Sequence, residues 1–336
     1  MPGNCGRRRG RDDDRRRRGA DFVSSGTDAT QNRPAAGSYA LETIDLVKTF
    51  GDRAAVDNVS LYVRRGEIFG FLGPNGSGKT TTIRMALGIL RPDSGRVSVL
   101  DAPPTSAVLK RVGYLPEEAG LPPKARVFDV IRYLGRLKGM SRHDAESRAE
   151  ELLTKVGLYE HRGDKVETLS QGMKQMVQFV TAIVHNPSLL ILDEPFAGLD
   201  PLNVRLMKEI LSEHRQGGTT VMFSTHIMSD VEEMCERIAL ISDGGLLLFG
   251  DLNAIKRERG IASVQVQAPA IPDELRADQP RILPDGTAEY AIGDGRTPER
   301  ILQAYVTAGI AIDRFERMLP SLNDIFIEEV SRARGH

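Results

Sequence analysis

The sequence has little of what marks secreted, membrane-spanning or strongly basic proteins. Its 336 residues include two cysteines, Cys5 and Cys235, too few for a disulfide framework, which fits a reducing compartment better. With 45 basic and 46 acidic side chains the formal net charge is -1, so no global basic field exists and we expect no nucleic-acid partner. No stretch approaches the roughly 20 apolar residues of a membrane-spanning helix. The arginines near the N-terminus lack the apolar core of a secretory signal. These absences predict a soluble, intracellular protein.

Residues 1–38 differ in composition from the rest of the chain. They hold nine arginines and five aspartates and almost no apolar residues, so burial cannot offset the entropy of ordering them. The arginines at positions 7–18 could contact anionic lipid or nucleic acid, but three aspartates at positions 12–14 interrupt the run. We expect a disordered, arginine-rich tail.

The length favours two folded domains after this tail. From residue 39 to about 251, strand-like and helix-like segments alternate, which is typical of an α/β domain with a largely parallel sheet. Apolar residues at helical spacing predict a helical subdomain inserted at about residues 115–186; the first set is Val127, Val130, Ile131, Leu134 and Leu137. Shorter strands and helices at residues 252–336 predict a small, separate C-terminal α/β domain.

The strongest local pattern is a glycine-rich loop. Residues 73–80 match G-x-x-x-x-G-K-[S/T], follow an apolar segment at residues 68–72 and precede a helix predicted over about residues 79–90. Glycines let backbone N–H groups surround phosphate oxygens at the positive end of the helix. Lys79 would supply charge to the β- and γ-phosphates, and the Thr80 hydroxyl would ligate Mg²⁺. The expected phosphate-binding residues are Gly73, Pro74, Asn75, Gly76, Ser77, Gly78, Lys79, Thr80 and Thr81.

Two carboxylates follow a second apolar segment, residues 189–192. A buried strand would deliver Asp193 and Glu194 to the carboxyl end of the sheet, where α/β proteins bind ligands. Asp193 would hold Mg²⁺, and Glu194 would polarise an attacking water as general base. Strands often end in acidic residues, so this pattern has meaning only beside the glycine-rich loop.

A third segment, residues 169–175, reads Leu-Ser-Gln-Gly-Met-Lys-Gln and precedes a helix that Asn186 and Pro187 end. Ser170 is predicted to cap this helix, with Gly172 behind it, which would present a second anion-binding helix terminus. By itself the segment could be an ordinary helix cap. Farther on, residues 197–200 read Ala-Gly-Leu-Asp and residues 224–226 read Ser-Thr-His.

In this order the five segments resemble those of the ATP-binding cassette (ABC) ATPases, over residues 39 to about 250. The resemblance identifies them as Walker A, the family signature, Walker B with its adjoining glutamate, the D-loop and the switch histidine. It implies a P-loop NTPase fold with an inserted helical subdomain, and ATP with Mg²⁺ as cofactors.

The resemblance also implies a head-to-tail homodimer of cassettes that encloses two ATP molecules. The signature residues Ser170, Gln171 and Gly172 of one copy would face the γ-phosphate held by Lys79 of the other. Asp200 would connect the two sites.

Further roles follow from the resemblance alone. Phe50 would stack on adenine, with Val56 lining the same pocket. His226 would contact the γ-phosphate and the attacking water.

The chain departs from the family pattern at two places. Gln171 and Met173 replace a glycine and a glutamine of the usual signature, Leu-Ser-Gly-Gly-Gln. Glu117 stands where a loop normally supplies a glutamine to Mg²⁺; its carboxylate can still ligate the ion, but it adds negative charge beside Asp193 and Glu194. Both departures resemble bacterial cassettes that serve type-2 ABC export permeases, and residues 321–329 resemble the end of the accessory domain in that subgroup, although any amphipathic helix could read similarly.

The resemblance therefore implies the ATP-hydrolysing subunit of an ABC transporter, and the subgroup that it resembles implies an exporter. The permease would be a separate membrane protein, and the cassette would lie on the cytoplasmic face of the cell membrane. The alternative is a non-transport ABC ATPase that acts on DNA, ribosomes or envelope machinery. A GTPase or kinase that shares the phosphate loop is disfavoured by the signature and by residues 224–226.

Overall fold

The computed structural model describes residues 39–118, 120–293 and 295–334, so the arginine-rich tail and its predicted disorder lie outside the described residues. The strands are β1 (Tyr39–Phe50), β2 (Arg53–Arg64), β3 (Ile68–Leu72), β4 (Ser94–Val99), β5 (Val112–Leu115), β6 (Leu189–Asp193), β7 (Thr220–Thr225), β8 (Arg237–Ser242), β9 (Gly245–Asp251), β10 (Ser263–Gln267), β11 (Arg281–Ile282), β12 (Ala288–Ala291) and β13 (Arg314–Met318). The α-helices are α1 (Lys79–Ala86), α2 (Ser106–Leu109), α3 (Val127–Leu137), α4 (Arg142–Lys155), α5 (Gln171–Ile183), α6 (Pro201–Gln216), α7 (Met228–Met234), α8 (Leu252–Glu258), α9 (Asp273–Arg276), α10 (Pro298–Thr307) and α11 (Leu322–Arg334). Within the described ranges, no helix has the length and apolar character needed to cross a bilayer.

A six-stranded sheet, ordered β5-β6-β7-β3-β8-β9, lies at the centre of the fold. Its strands are parallel except β9, which runs antiparallel to β8. Every residue of β3, β6, β7 and β8 is buried, because apolar clusters cover both faces of the sheet. The predicted, largely parallel α/β architecture is confirmed. Since β3, β6 and β7 are neighbours, their carboxyl ends meet at one edge.

A second, antiparallel sheet, ordered β2-β1-β4, contributes the residues that cover one face of the central sheet. Its β1–β2 hairpin turns through Gly51 and Asp52, so that Phe50 and Arg53 lie directly opposite one another. Gly51 has a φ of 58°, which a tight hairpin turn favours. This register places an aromatic ring and a guanidinium together at the hairpin tip.

The helices predicted between residues 127 and 184 are present as α3, α4 and α5, and their apolar faces join the core on the other side of the central sheet. Leu137 is an exception: we expected it to face the core, yet it is 57% exposed. It is the last residue of α3 and, at 100° per residue, lies at the margin of the apolar stripe. The helix predicted to end near residue 90 ends at Ala86, because Gly88 adopts a φ of 66° and stops α1.

The C-terminal region contains a four-stranded antiparallel sheet, ordered β11-β12-β10-β13, with its own small core around Tyr290 and Tyr305. The expected small α/β fold is therefore present. However, α8 and α11 bury their apolar side chains in the main core; these are Leu252, Ile255, Leu322 and Ile325. A domain boundary at residues 251/252 stays a prediction.

Candidate functional site

The glycine-rich loop joins β3 to α1 at the carboxyl edge of the central sheet. Gly78 has a φ of 109°, and a Cβ on it would lie 2.4 Å from the carbonyl oxygen of Ala55, so only glycine fits without a shift of backbone. The Nζ atom of Lys79 donates hydrogen bonds to the carbonyl oxygens of Gly73 (2.7 Å) and Pro74 (3.3 Å). The loop thus ends at a helix N-terminus with a buried cation folded back over it, an arrangement that suits phosphate.

Asp193 and Glu194, at the end of β6, are both fixed by Ser224 of β7. The Ser224 hydroxyl donates to Oδ1 of Asp193 and accepts a hydrogen bond of 3.1 Å from the Glu194 N–H. Glu194 adopts a φ of 49°, an uncommon conformation for a residue with a side chain. Asp193 is completely buried, and its Oδ2 atom has no hydrogen-bond partner among the described residues. The strand end therefore offers one unsatisfied carboxylate oxygen and one carboxylate in a constrained orientation.

Glu194 contacts two other polar side chains of the site, those of Lys79 and His226. Its Oε1 atom lies 3.4 Å from Nζ of Lys79, and its Oε2 atom lies 3.0 Å from Nδ1 of His226. The Lys79 and Glu194 side chains are 6% and 8% exposed, whereas that of His226 is 51% exposed. A carboxylate held between a lysine and a histidine can act as a general base for a water molecule on its open side.

A cavity of about 480 Å³ opens in front of these groups. It is lined by Phe50, Arg53, Ala55, Asn75, Gly76, Gly78, Lys79, Thr80, Thr81, Glu117 and Glu194. The ring of Phe50 is 53% exposed at one end, where a planar base could stack on it. With an aromatic ring, the phosphate loop and two cations along its wall, the cavity has the chemistry expected for a nucleoside triphosphate.

One side of the cavity differs from the sequence-based expectation. Val56 is completely buried beneath the loop, where its Cγ2 atom lies 3.4 Å from the position of a Cβ on Gly78. Ala55 and Arg53 line the cavity where we expected Val56. Arg53 was not predicted from the sequence as a residue of the site. Its Nη2 atom donates a hydrogen bond of 3.3 Å to the carbonyl oxygen of Gly76. Its place opposite Phe50 follows from the hairpin register, which no motif encodes.

Glu117 lies after β5 and lines the cavity, as the resemblance required of the residue at this position. The loop around it is held by α5, where Gln178 donates from Nε2 to the carbonyl oxygens of Pro116 (3.2 Å) and Glu118 (3.3 Å). Gln178 therefore links the helical region to the residue that we expect near the metal.

The residues predicted to bind Mg²⁺ fit that ion. No group of three or more histidine, cysteine or acidic side chains with metal-binding geometry occurs in the described part of the chain. Mg²⁺, however, is commonly held by one or two carboxylates together with substrate phosphates. Asp193 supplies the buried, unpartnered oxygen, while Thr80 and Glu117 line the cavity.

The signature residues do not line this cavity. Ser170 caps α5 as predicted, and its Oγ atom accepts a hydrogen bond of 3.2 Å from the N–H of Met173. Ser170 and Gln171 are exposed, and Gly172 is partly exposed, so this helix terminus faces away from the chain's own core. A role for it in nucleotide binding requires a second molecule.

Asp200 caps α6 within its own chain. Its Oδ1 atom accepts hydrogen bonds from the N–H groups of Leu202 (3.0 Å) and Asn203 (3.1 Å). The backbone hydrogen bond from Asn203 is the main cause that lowers the pKa of Asp200 below its usual range. Leu202, next in the same turn, is 80% exposed. The predicted link from Asp200 to a second site stays a prediction.

Comparison with known proteins finds matches along most of the chain. A family model described as "ABC transporter" matches residues 56–197, and one described as "ATP-binding protein DrrA1-3-like, C-terminal domain" matches residues 250–330. The ABC transporter ATP-binding protein YhaQ of Bacillus subtilis is 41% identical over 296 residues, which cover 86% of this chain and 98% of that protein. The Nod factor export ATP-binding protein I of Bradyrhizobium diazoefficiens is 37% identical over 221 residues, 65% of this chain and 72% of that protein.

Solved structures agree with these matches. An ATP-binding subunit of an ABC transporter aligns with a TM-score of 0.63 and 30% identity, over 66% of this chain and 93% of that one. A dimeric bacterial ABC transporter cassette aligns with a TM-score of 0.59 and 25% identity, over 63% of this chain and 98% of that one.

Proposed function

The chain belongs to the ABC transporter ATP-binding proteins, and from this membership we propose that it hydrolyses ATP in the cavity described above and thereby drives a separate permease. The observation that carries the proposal is the position of Glu194, whose carboxylate lies on the cavity wall between Lys79 and His226. A carboxylate beside a phosphate-binding lysine lies where it can orient and activate a water molecule for attack on the terminal phosphate.

In the proposed reaction the glycine-rich loop and Lys79 bind the β- and γ-phosphates, and Phe50 stacks on the base. Glu194 takes a proton from the attacking water, and His226 keeps that carboxylate and the γ-phosphate in register. Thr80, Asp193 and Glu117 would hold Mg²⁺, which would supply positive charge to neutralise the phosphate oxygens. Since a phosphate oxygen competes for Lys79, nucleotide binding weakens the Lys79–Glu194 ion pair and leaves Glu194 available to water.

The working unit in this proposal is a homodimer. The cavity of one chain lacks the signature residues, and the capped terminus at Ser170 and Gln171 is exposed. A second copy packed head to tail would bring that helix N-terminus to the γ-phosphate. A cassette of similar fold is dimeric.

Export is the proposed direction of transport, with the cassette bound to its permease on the cytoplasmic face of the cell membrane. Support comes from the relative named for Nod factor export and from the match of residues 250–330 to a DrrA-like C-terminal domain. A non-transport ABC ATPase is the less favoured function, because both relatives are named for transport or export, and YhaQ matches 86% of this chain.

Phosphate release from ATP by the purified chain, with and without Mg²⁺, tests hydrolysis. Glu194→Gln is expected to lower kcat at least about a hundredfold while ATP still binds, because the amide keeps the contacts but cannot accept the proton. Glu209→Gln is the matched control, since Glu209 is an exposed residue of α6 paired with Arg205. Normal turnover by Glu194→Gln would show that another group is the base.

A further inference from the structure

Helix α7 begins two residues after His226 and is too short to be stable alone. It has seven residues, whereas isolated helices shorter than about 12 residues are marginal in water. The His226 ring is half exposed and touches Glu194, so its position depends on the main chain on either side. The buried strand β7 fixes the chain before it. The chain after it is fixed by α7 and by a hydrogen bond of 3.0 Å from the N–H of Ile227 to Oγ1 of Thr225.

One side of α7 is attached to α6. The Nζ atom of Lys208 lies 2.8 Å from Asp230 and 2.5 Å from Glu233. Between them, Val231 is completely buried in the main core. These contacts link α7 to the helix that Asp200 caps.

The other side of α7 is attached to the C-terminal region by apolar packing and by the carboxylate of Glu232. Oε1 of Glu232 accepts a hydrogen bond of 2.8 Å from the N–H of Leu322, the first residue of α11, and one of 2.7 Å from Nζ of Lys256 in α8. Leu322 and Ile325 are each 1% exposed and join the same core cluster as Val231. Glu232 thus receives one hydrogen bond from each of the two C-terminal helices that pack on the main core.

Two further ion pairs hold α8 and α11 together. Arg259, just after α8, pairs with Glu328 and Glu329 of α11. A movement of the C-terminal region that shifts these helices would therefore also shift α7, because Glu232 of α7 is hydrogen-bonded to both of them.

We propose that Glu232 is a positioning residue for hydrolysis: by fastening α7 to α8 and α11 it sets the approach of His226 to Glu194. Glu232 is not among the residues that line the nucleotide cavity. The inference rests on the proposed roles of Glu194 and His226. It gives the C-terminal region a direct physical connection to the rate of the chemical step.

The test compares Glu232→Ala and Glu232→Gln in the full chain, with Glu236→Ala and Glu236→Gln as matched controls. Glu236 is an acidic residue just past α7 that pairs with the exposed Arg215. Glu232→Ala is expected to lower kcat about threefold to tenfold and to change KM for ATP less than about twofold, because positioning acts on the transition state. Glu232→Gln keeps an acceptor for the Leu322 N–H and should recover part of that loss.

If Glu232 acts through His226, its substitution should have no further effect once His226 has been removed, which a purely structural role would not predict. In the His226→Ala background, Glu232→Ala should leave the single-turnover rate unchanged within about twofold, since coupled residues are not additive. Equal losses in both backgrounds, or a loss confined to KM, would overturn the proposal. If Glu232→Ala does not fold, Glu232→Gln is judged by the same comparison.

Hydrogen exchange separates this inference from the proposed function. Amides of residues 227–235 are expected to exchange at least about tenfold faster in Glu232→Ala than in Glu236→Ala, because α7 loses its hydrogen bonds to α8 and α11. Unchanged exchange overturns the inference even where wild type hydrolyses ATP. A wild type without ATPase activity would instead count against the proposed function, and the exchange data would still decide whether Glu232 holds α7.

Discussion

Arg53 is the cavity residue that we expect to contribute to ATP binding through its charge. It lies opposite Phe50 in the hairpin and lines the cavity close to the phosphate loop, where Lys79 is the other cation. Unlike Lys79, which is buried and paired with Glu194, Arg53 is exposed and hydrogen bonds to a neutral carbonyl group of the loop. Its charge can therefore be offered to a nucleotide phosphate without first breaking an ion pair.

Arg53→Gln is expected to raise the Kd for ATP about 1.5-fold to fivefold, the range that one exposed charge contributes. Adenosine, which has no phosphate, should bind equally well to both proteins. Calorimetric titrations with ATP and adenosine at low and high salt measure the difference, which should shrink as salt screens the charge.

Arg64→Gln is the control, because it removes the same charge at the opposite end of the same strand. An equal loss of ATP and adenosine affinity in Arg53→Gln would mean that the side chain shapes the base pocket and does not act through charge.

At the scale of elements, two helices of this chain have the same cap. Ser170 caps α5 and Ser141 caps α4, each by accepting a hydrogen bond from the N–H three residues on, at 3.2 and 3.1 Å. Ser170 lies in the signature, whereas Ser141 lies outside every motif. The pair separates the stability of a cap from a role in binding.

Ser170→Ala and Ser141→Ala should each reduce the free energy of unfolding by about 1 kcal/mol, the usual cost of losing a cap. Only Ser170→Ala should also lower kcat, because its hydroxyl and helix terminus are proposed to meet the γ-phosphate across the dimer. Denaturant unfolding and phosphate release measured on both variants provide the comparison. Parallel behaviour in the two assays would reduce Ser170 to an ordinary cap.

The ends of the helices show which features of the local sequence are sufficient to predict a boundary. Ser170 was predicted as a cap because capping depends on a few consecutive residues, and it is one. The end of α1 was placed too late, since the apolar pattern continues past Gly88, whose left-handed conformation stops the helix. Leu137 was assigned to the core because it fits the period of α3, but it is the last residue of that helix, lies at the margin of the apolar stripe and is exposed.

At the scale of the whole molecule, the phosphate loop, Asp193 and Glu194 were predictable because they lie at or just after the ends of buried parallel strands, and such strands end at one edge. His226, just after β7 at the same edge, was expected at the site only from the family resemblance. Arg53 depends on the register of a hairpin, and Glu232 meets Leu322 across 90 residues of sequence. Contacts between distant residues leave no local pattern, so the attachment of the C-terminal region could not be read from the sequence.

The proposed permease partner is also a property of the whole molecule. The proposed function gives the cassette a separate membrane permease as its partner. Glu194→Gln should hold ATP without hydrolysing it and so accumulate the closed dimer, the state in which the permease is engaged. Affinity purification of this variant with ATP from detergent-solubilised native membranes, followed by mass spectrometry, is expected to recover a polytopic membrane protein in amounts comparable to the cassette.

The control is the double variant Lys79→Ala with Glu194→Gln, which lacks both the base and the phosphate-binding cation. Because it cannot form the ATP-bound dimer, any partner that depends on closure should be lost or strongly reduced with it, whereas adventitious proteins should remain. Recovery of ribosomes, DNA or soluble proteins in place of a membrane protein would favour a non-transport ABC ATPase. A membrane protein recovered equally with both variants would support the permease but not its dependence on closure, since ATP would then have no influence on the contact that it is proposed to control.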